Sequence, residues 1–175
     1  MNTTPEIVVN KVAQSGILTI DLATYLPNEP QQSIDIAEYL FMKMILKEKS
    51  FREQLSSTDF TVFASCHVHI YCSVDAIIPS WAYMLLVDCL QSHAKSVFVG
   101  TAEQHLQYLV RQNIEKIDTT PYVDARVVIK GCGDKTLPVD AYAAISAKLL
   151  TVVKSLMYGE PCSTVPIYKR KNIVQ

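Results

Sequence analysis

From Ile17 onward, short β-rich runs alternate with helix-patterned segments, and the connections between successive runs are long enough for crossovers. Antiparallel strands can be joined by a two-residue turn, whereas parallel strands need a connection of about a dozen residues or more, usually a helix. The alternation therefore predicts an α/β fold in a single domain. Its sheet should be mainly parallel, with about four or five strands and helices packed on its faces. The chain has 175 residues, 49% of them apolar, which is enough for one such core. No internal repeat or low-complexity stretch competes with that reading.

Glu6 to Val12 carry apolar side chains at mixed spacing and predict a short helix, broken at Ser15-Gly16 before a strand from Ile17 to Leu22. Pro27, Asn28 and Pro30 mark a loop. From Asp35, read as an N-cap, Ile36, Leu40, Phe41, Met44, Ile45 and Leu55 recur at helical spacing. Lys43, Lys47, Glu48, Lys49 and Arg52 occupy the other face, so one long amphipathic helix is expected. Thr61 to Tyr71 predicts a central strand, and a loop runs from Cys72 to Pro79. Pro79 suits a first helical turn, and Trp81 to Leu90 is apolar nearly all the way round, as in a helix buried on several sides.

Ser96 to Val99 predicts a strand closed by Gly100. Thr101 with Gln104 makes a capping box for a helix faced by Leu106, Leu109, Val110 and Ile114. Ala125 to Ile129 predicts a buried strand, and Pro138 opens a helix containing Tyr142, Ile145, Leu149, Leu150 and Val153. Two continuations stay open. Either the helix runs on to Tyr158, or it ends early and Val152 to Tyr158 returns as extended chain. Residues 159–175 read as an irregular and mobile C-terminal tail, since Gly159 stops a helix and Pro161 and Pro166 follow.

Sixteen basic and 17 acidic side chains give a net charge of -1, so no overall field draws nucleic acid or an anionic membrane, and neither partner is expected. The basic run Lys169-Arg170-Lys171 reads as a solvated tail. The stretch MNTTPEIVVNKVAQSG lacks the basic flank and apolar run of a signal peptide. No uncharged apolar stretch reaches the ~18 residues of a membrane span, so the expected compartment is the cytoplasm. Thiols stay reduced there, and five cysteines, an odd number, suit free or metal-bound thiols better than a disulfide framework.

The chemistry-bearing feature is Lys130-Gly131-Cys132-Gly133-Asp134, a lone thiol between two glycines at the end of a β-branched run. Ligands of open α/β sheets bind outside the carboxyl ends of the strands, where Cys132 and Cys72 both fall. Cys162, in GEPCSTVP, sits in an irregular segment with no amphipathic face to explain it. Three thiolates suit zinc or an iron–sulfur cluster, and the fourth zinc position would go to Asp75 first, or to Asp134, a histidine or water. A helix running to Tyr158 would leave Cys162 at the wrong end of the sheet. Convergence thus needs an early-ending helix, or a partner subunit that supplies Cys162, which adds a homo-oligomer to the expectations.

Neither CxxC nor HExxH is present. Cys66 and Cys89 read as small hydrophobes. His67 and His69 alternate along a strand and so share a face, reading as half-exposed strand residues, and His93 and His105 have no distinctive setting. The alternative reading is an enzyme acting on a small acyl or sulfur-bearing substrate with Cys132 as nucleophile. Lys130 or a helix N-terminus would lower its pKa, and His67 or His69 would serve as base. No GxSxG elbow and no phosphate-loop motif supports a serine hydrolase or a P-loop enzyme.

At CSVDAIIPSWAYMLL, VVIKGCGD and VKSLMYGEPCSTVPIYKR the sequence resembles an uncharacterised bacterial family, domain of unknown function 2480, over nearly the whole chain. Cys72, Asp75, Cys132 and Cys162 fall inside those motifs; Cys66, His67, His69 and Cys89 do not. The resemblance implies no established activity. It does imply iron–sulfur cluster assembly proteins as partners.

Overall fold

A computed structural model describes residues 16–131, 136–160 and 162–171. The helix expected from Glu6 to Val12, together with Cys132 and Asp134, lies outside them. Seven strands and four α-helices are assigned among the described residues, and every strand pair but one is parallel, as the alternation requires. The strands are divided between a four-stranded and a three-stranded sheet. The chain falls into two compact units, an inserted one from Pro27 to Leu109 and a flanking one made of Met1–Leu26 with Val110–Gln175. Among the described residues no helix is long and apolar enough to cross a membrane.

The inserted unit holds β2 (Gln31–Asp35), β3 (His67–Tyr71) and β4 (Ser96–Val99) in that order, all parallel. α1 (Glu48–Ser57) buries Phe51 and Leu55 four residues apart, and α2 (Ser80–Leu90) buries Ala82, Leu86 and Leu90 at the same spacing. These pack with Ile34, Val68 and Ile70 into one core. The expected long helix from Asp35 to Leu55 is corrected. Asp35 does cap, accepting from Ala37 N at 2.9 Å, but what it caps is a 3-10 turn, Ile36–Tyr39. Met42 and Lys43 then take φ of 51° and 56°, a left-handed pair that no α-helix can traverse, and Phe41 bridges back to Ile45. The expected strand from Thr61 is also shorter, because Phe60–Phe63 forms a 3-10 turn that Asp59 caps.

The flanking unit holds β1 (Ile17–Asp21), β5 (Arg126–Lys130), β6 (Ser155–Glu160) and β7 (Ser163–Lys169) in the order β1-β5-β6-β7. Val127, Val128 and Ile129 are all buried, the continuous apolar run of an interior parallel strand. α3 (Ala102–Glu115), which belongs to the inserted unit up to Leu109 and to the flanking unit from Val110, starts at the predicted capping box: Thr101 N donates to Gln104 Oε1 at 2.9 Å and Gln104 N to Thr101 Oγ1 at 3.2 Å. α4 (Val139–Leu149) follows Pro138 and buries Ala141, Ile145 and Leu149.

α4 ends at Leu149, the earlier of the two expected stops. Thr151, Val152 and Val153 are β-branched and favour extended chain, and Lys154 N and Asp124 N donate across to Ala125 O and Val152 O to start β6 beside β5. The irregular tail expected from Gly159 is corrected too: Ser163–Lys169 is a strand, antiparallel to β6. Pro166 fits because β7 is an edge strand, and the register slips between Leu156 and Met157, opposite it. Gly159 has a φ of 119°, and a Cβ there would stand 2.6 Å from Ser163 O, so this hairpin needs glycine.

Candidate functional site

In the flanking unit, parallel pairing aligns the carboxyl ends of β1, β5 and β6. Asp21 is in register with Lys130, and Ile129 with Tyr158. Beyond those pairs Lys130 Nζ and Glu160 Oε1 form an ion pair at 3.3 Å. Both side chains are more than a third exposed, so solvent screens the attraction. Cys162 is exposed in the turn between β6 and β7.

Gly131 follows β5 directly, and its carbonyl accepts a 3.1 Å hydrogen bond from the Tyr142 hydroxyl of α4. A Cβ at Gly131 would lie 2.0 Å from that oxygen, so the glycine is needed where the chain passes the tyrosine. Tyr142 in turn packs edge-to-face on Tyr158, with centroids 5.7 Å apart. Both rings line a mostly apolar depression of about 330 Å³, together with Ile129, Val139, Ser146 and Ile167.

Cys72 and Asp75 belong to the inserted unit. Cys72 follows β3 and is half-buried, with its thiol donating to Val74 O at 3.2 Å. The loop is held by Asp35, whose carboxylate accepts from Ser73 N at 3.0 Å as well as from Ala37 N. Burial opposes ionisation of Asp35, but the bonds from Ser73 and Ala37 outweigh it and hold its pKa below the usual value. Asp75 is exposed and lines a second depression with Met44, Ile45, Leu46, Ala76, Ile77 and Pro79. Cys66 is a buried core residue, and burial followed by the nearby Asp88 raises the Cys89 pKa, so both behave as inert thiols. Among the described residues no three Cys, His, Asp or Glu side chains stand together where they could hold a metal ion.

The histidines are the site feature that sequence reasoning missed. His67, expected half-exposed, is 7% exposed; its Nδ1 meets Ser96 Oγ at 2.7 Å and its Nε2 meets Glu29 at 3.4 Å. Glu29 is also paired with Lys95, which holds its pKa down to about 2. His105 is wholly buried, stacked on Phe98 at 5.2 Å, with the rings of His67 and His69 at 6.1 and 5.8 Å. Neither of its ring nitrogens, nor His69 Nδ1, has a hydrogen-bond partner among the described residues. Desolvation, then the neighbouring His69 and His67, push the His105 pKa down to about 4. A signal was present: His105 precedes the buried Leu109 by four residues and so shares its helix face.

A family model described as "Protein of unknown function (DUF2480)" matches residues 6–170, so the chain belongs to that family. No curated protein and no solved structure matches it.

Proposed function

We propose that this member of the DUF2480 family is a cytoplasmic metal-binding protein whose thiolate ligands centre on Cys132 and Cys162. The observation that carries the reading is the parallel pairing of β5 with β6, closed by the Lys130–Glu160 ion pair. One thiol follows Lys130 by two residues in sequence, and the other follows Glu160 by two. Zinc would draw its remaining ligands from carboxylate or water, and an iron–sulfur cluster would suit an association with cluster-assembly proteins. Cys72 and Asp75, in the other unit, are tested separately, and the Cys132–Cys162 pair stands without them.

Elemental analysis of untagged protein purified with and without oxygen, with a visible spectrum of the anaerobic sample, tests the reading. Close to one equivalent of zinc or of clustered iron is expected, lost in Cys132→Ser and in Cys162→Ser; loss in Cys72→Ser or Asp75→Asn would add those ligands. Less than about a tenth of an equivalent of any transition metal in both preparations overturns it.

The second reading, Cys132 as a nucleophile toward a small acyl or sulfur-bearing substrate, draws on the Tyr142–Tyr158 depression in the same unit. Alkylation of each thiol against pH separates the two. A reactive Cys132 with apparent pKa below ~7.5 in metal-free folded protein favours the enzyme, whereas reactivity that appears only on chelation favours the metal.

A further inference from the structure

Lys154, Lys169, Arg170 and Lys171 line one depression of about 590 Å³ in the flanking unit. It lies at the start of β6 and the end of β7, about 20 Å of strand away from the turn that carries Cys162. Antiparallel pairing assembles it: Ser155 is in register with Lys169, and Arg170 N donates to Lys154 O at 2.9 Å. Arg126 pairs in register with Ser155 and adds a cation at the same end of the sheet.

Arg170 is positioned rather than free. Its Nη1 pairs with the Asp124 carboxylate, and its Nη2 donates to Val152 O at 3.0 Å. Asp124 is thereby engaged, while Lys154, Lys169 and Lys171 are exposed and have no ion-pair partner among the described residues. In a chain of net charge -1 this is a local concentration of like charges whose mutual repulsion a bound polyanion would relieve. The run read as a solvated tail is thus one wall of a concavity, with its other wall supplied from fifteen residues upstream.

We infer that this depression binds the phosphate groups of a small polyphosphate-bearing ligand. Arginine and lysine are the side chains that recognise phosphate oxygens, and the volume falls in the range of small-molecule sites. Among the described residues no aromatic ring lines the depression, so the phosphate groups carry the recognition. Concavity favours a compact ligand over an extended nucleic-acid strand. The ligand chemistry is shared by free polyphosphate and by the phosphates of a nucleotide.

Titration of the full chain with tripolyphosphate, ATP and a single-stranded oligonucleotide, by calorimetry and by amide shift mapping, tests this. Tripolyphosphate is expected to bind once per chain, with shifts at Lys154 and from Lys169 to Lys171 and an affinity that falls as salt rises. Combining Lys154→Gln with Lys169→Gln should weaken it about tenfold or more, while Lys116→Gln, an exposed lysine outside the depression, should leave it unchanged. ATP binding much more tightly than tripolyphosphate would identify a nucleotide source, and similar affinities a free phosphate chain; either supports the inference. It is overturned if tripolyphosphate does not saturate, if the shifts fall elsewhere, if Lys116→Gln weakens binding equally, or if only the oligonucleotide binds. The wild-type shift map decides even if a variant folds poorly.

Discussion

The Tyr142 hydroxyl holds the Gly131 carbonyl at 3.1 Å and occupies the space that a side chain at Gly131 would need, 2.0 Å from its Cβ. One tyrosine thus fixes where the chain leaves β5 toward Cys132. Gly131→Ala must displace that ring and should cost about 1–3 kcal/mol of stability. Tyr142→Phe should cost about 1 kcal/mol by loss of the hydrogen bond. In urea titrations the Gly131→Ala penalty should shrink in a Tyr142→Ala background, and strictly additive effects would rule out the contact.

Acid should weaken the inserted unit through His105. Its folded pKa, about 4, lies below the ordinary value of 6.5, so the unfolded chain binds the extra proton first. The associated stability is present above pH 6.5 and is lost progressively as pH falls from there to the folded pKa, the loss reaching about 2 kcal/mol by pH 5. Burial lowers the His69 pKa in the same direction. Denaturation midpoints for His105→Leu should be much flatter between pH 7 and 5 than for the wild type. Parallel pH profiles would contradict this.

Asp35 links β2 to the Cys72 loop through its bonds to Ala37 and Ser73. Asp35→Ala should cost about 1–2 kcal/mol and speed alkylation of Cys72 without affecting Cys66. Asp35→Asn keeps an acceptor oxygen and should fall between. An unchanged Cys72 rate in Asp35→Ala would show that the loop holds itself.

The β6–β7 hairpin depends on Gly159. Gly159→Ala meets both a φ of 119° and the Ser163 carbonyl, and should cost about 1–3 kcal/mol. Hydrogen exchange should accelerate from Ser163 to Lys169 while β5 stays protected. Rapid exchange of those amides in the wild-type protein would contradict the strand itself.

What sequence alone determined is what neighbouring residues decide among themselves. The Thr101–Gln104 capping box, the helix starts after Pro79 and Pro138, the Asp35 cap and the apolar run Val127–Ile129 were all legible, because each rests on contacts or propensities within a few positions. So were the α/β class and the mainly parallel pairing.

Tertiary structure decided the rest, because pairing and burial depend on partners remote along the chain. Gln31–Asp35 is polar apart from Ile34, and it is a strand because β3 lies beside it. Ser163–Lys169 carries a proline, and it is a strand because β6 supplies its bonds. His105 looked ordinary until β3 and β4 supplied the rings around it, and Lys154 joined Lys169, Arg170 and Lys171 only through the antiparallel register. For the thiols, sequence singled out Cys72, Cys132 and Cys162 only by their local setting. It was the folding of β6 alongside β5 that brought the chain following Lys130 and the chain following Glu160 to one end of a sheet, since a parallel strand pair aligns its carboxyl ends whatever lies between them.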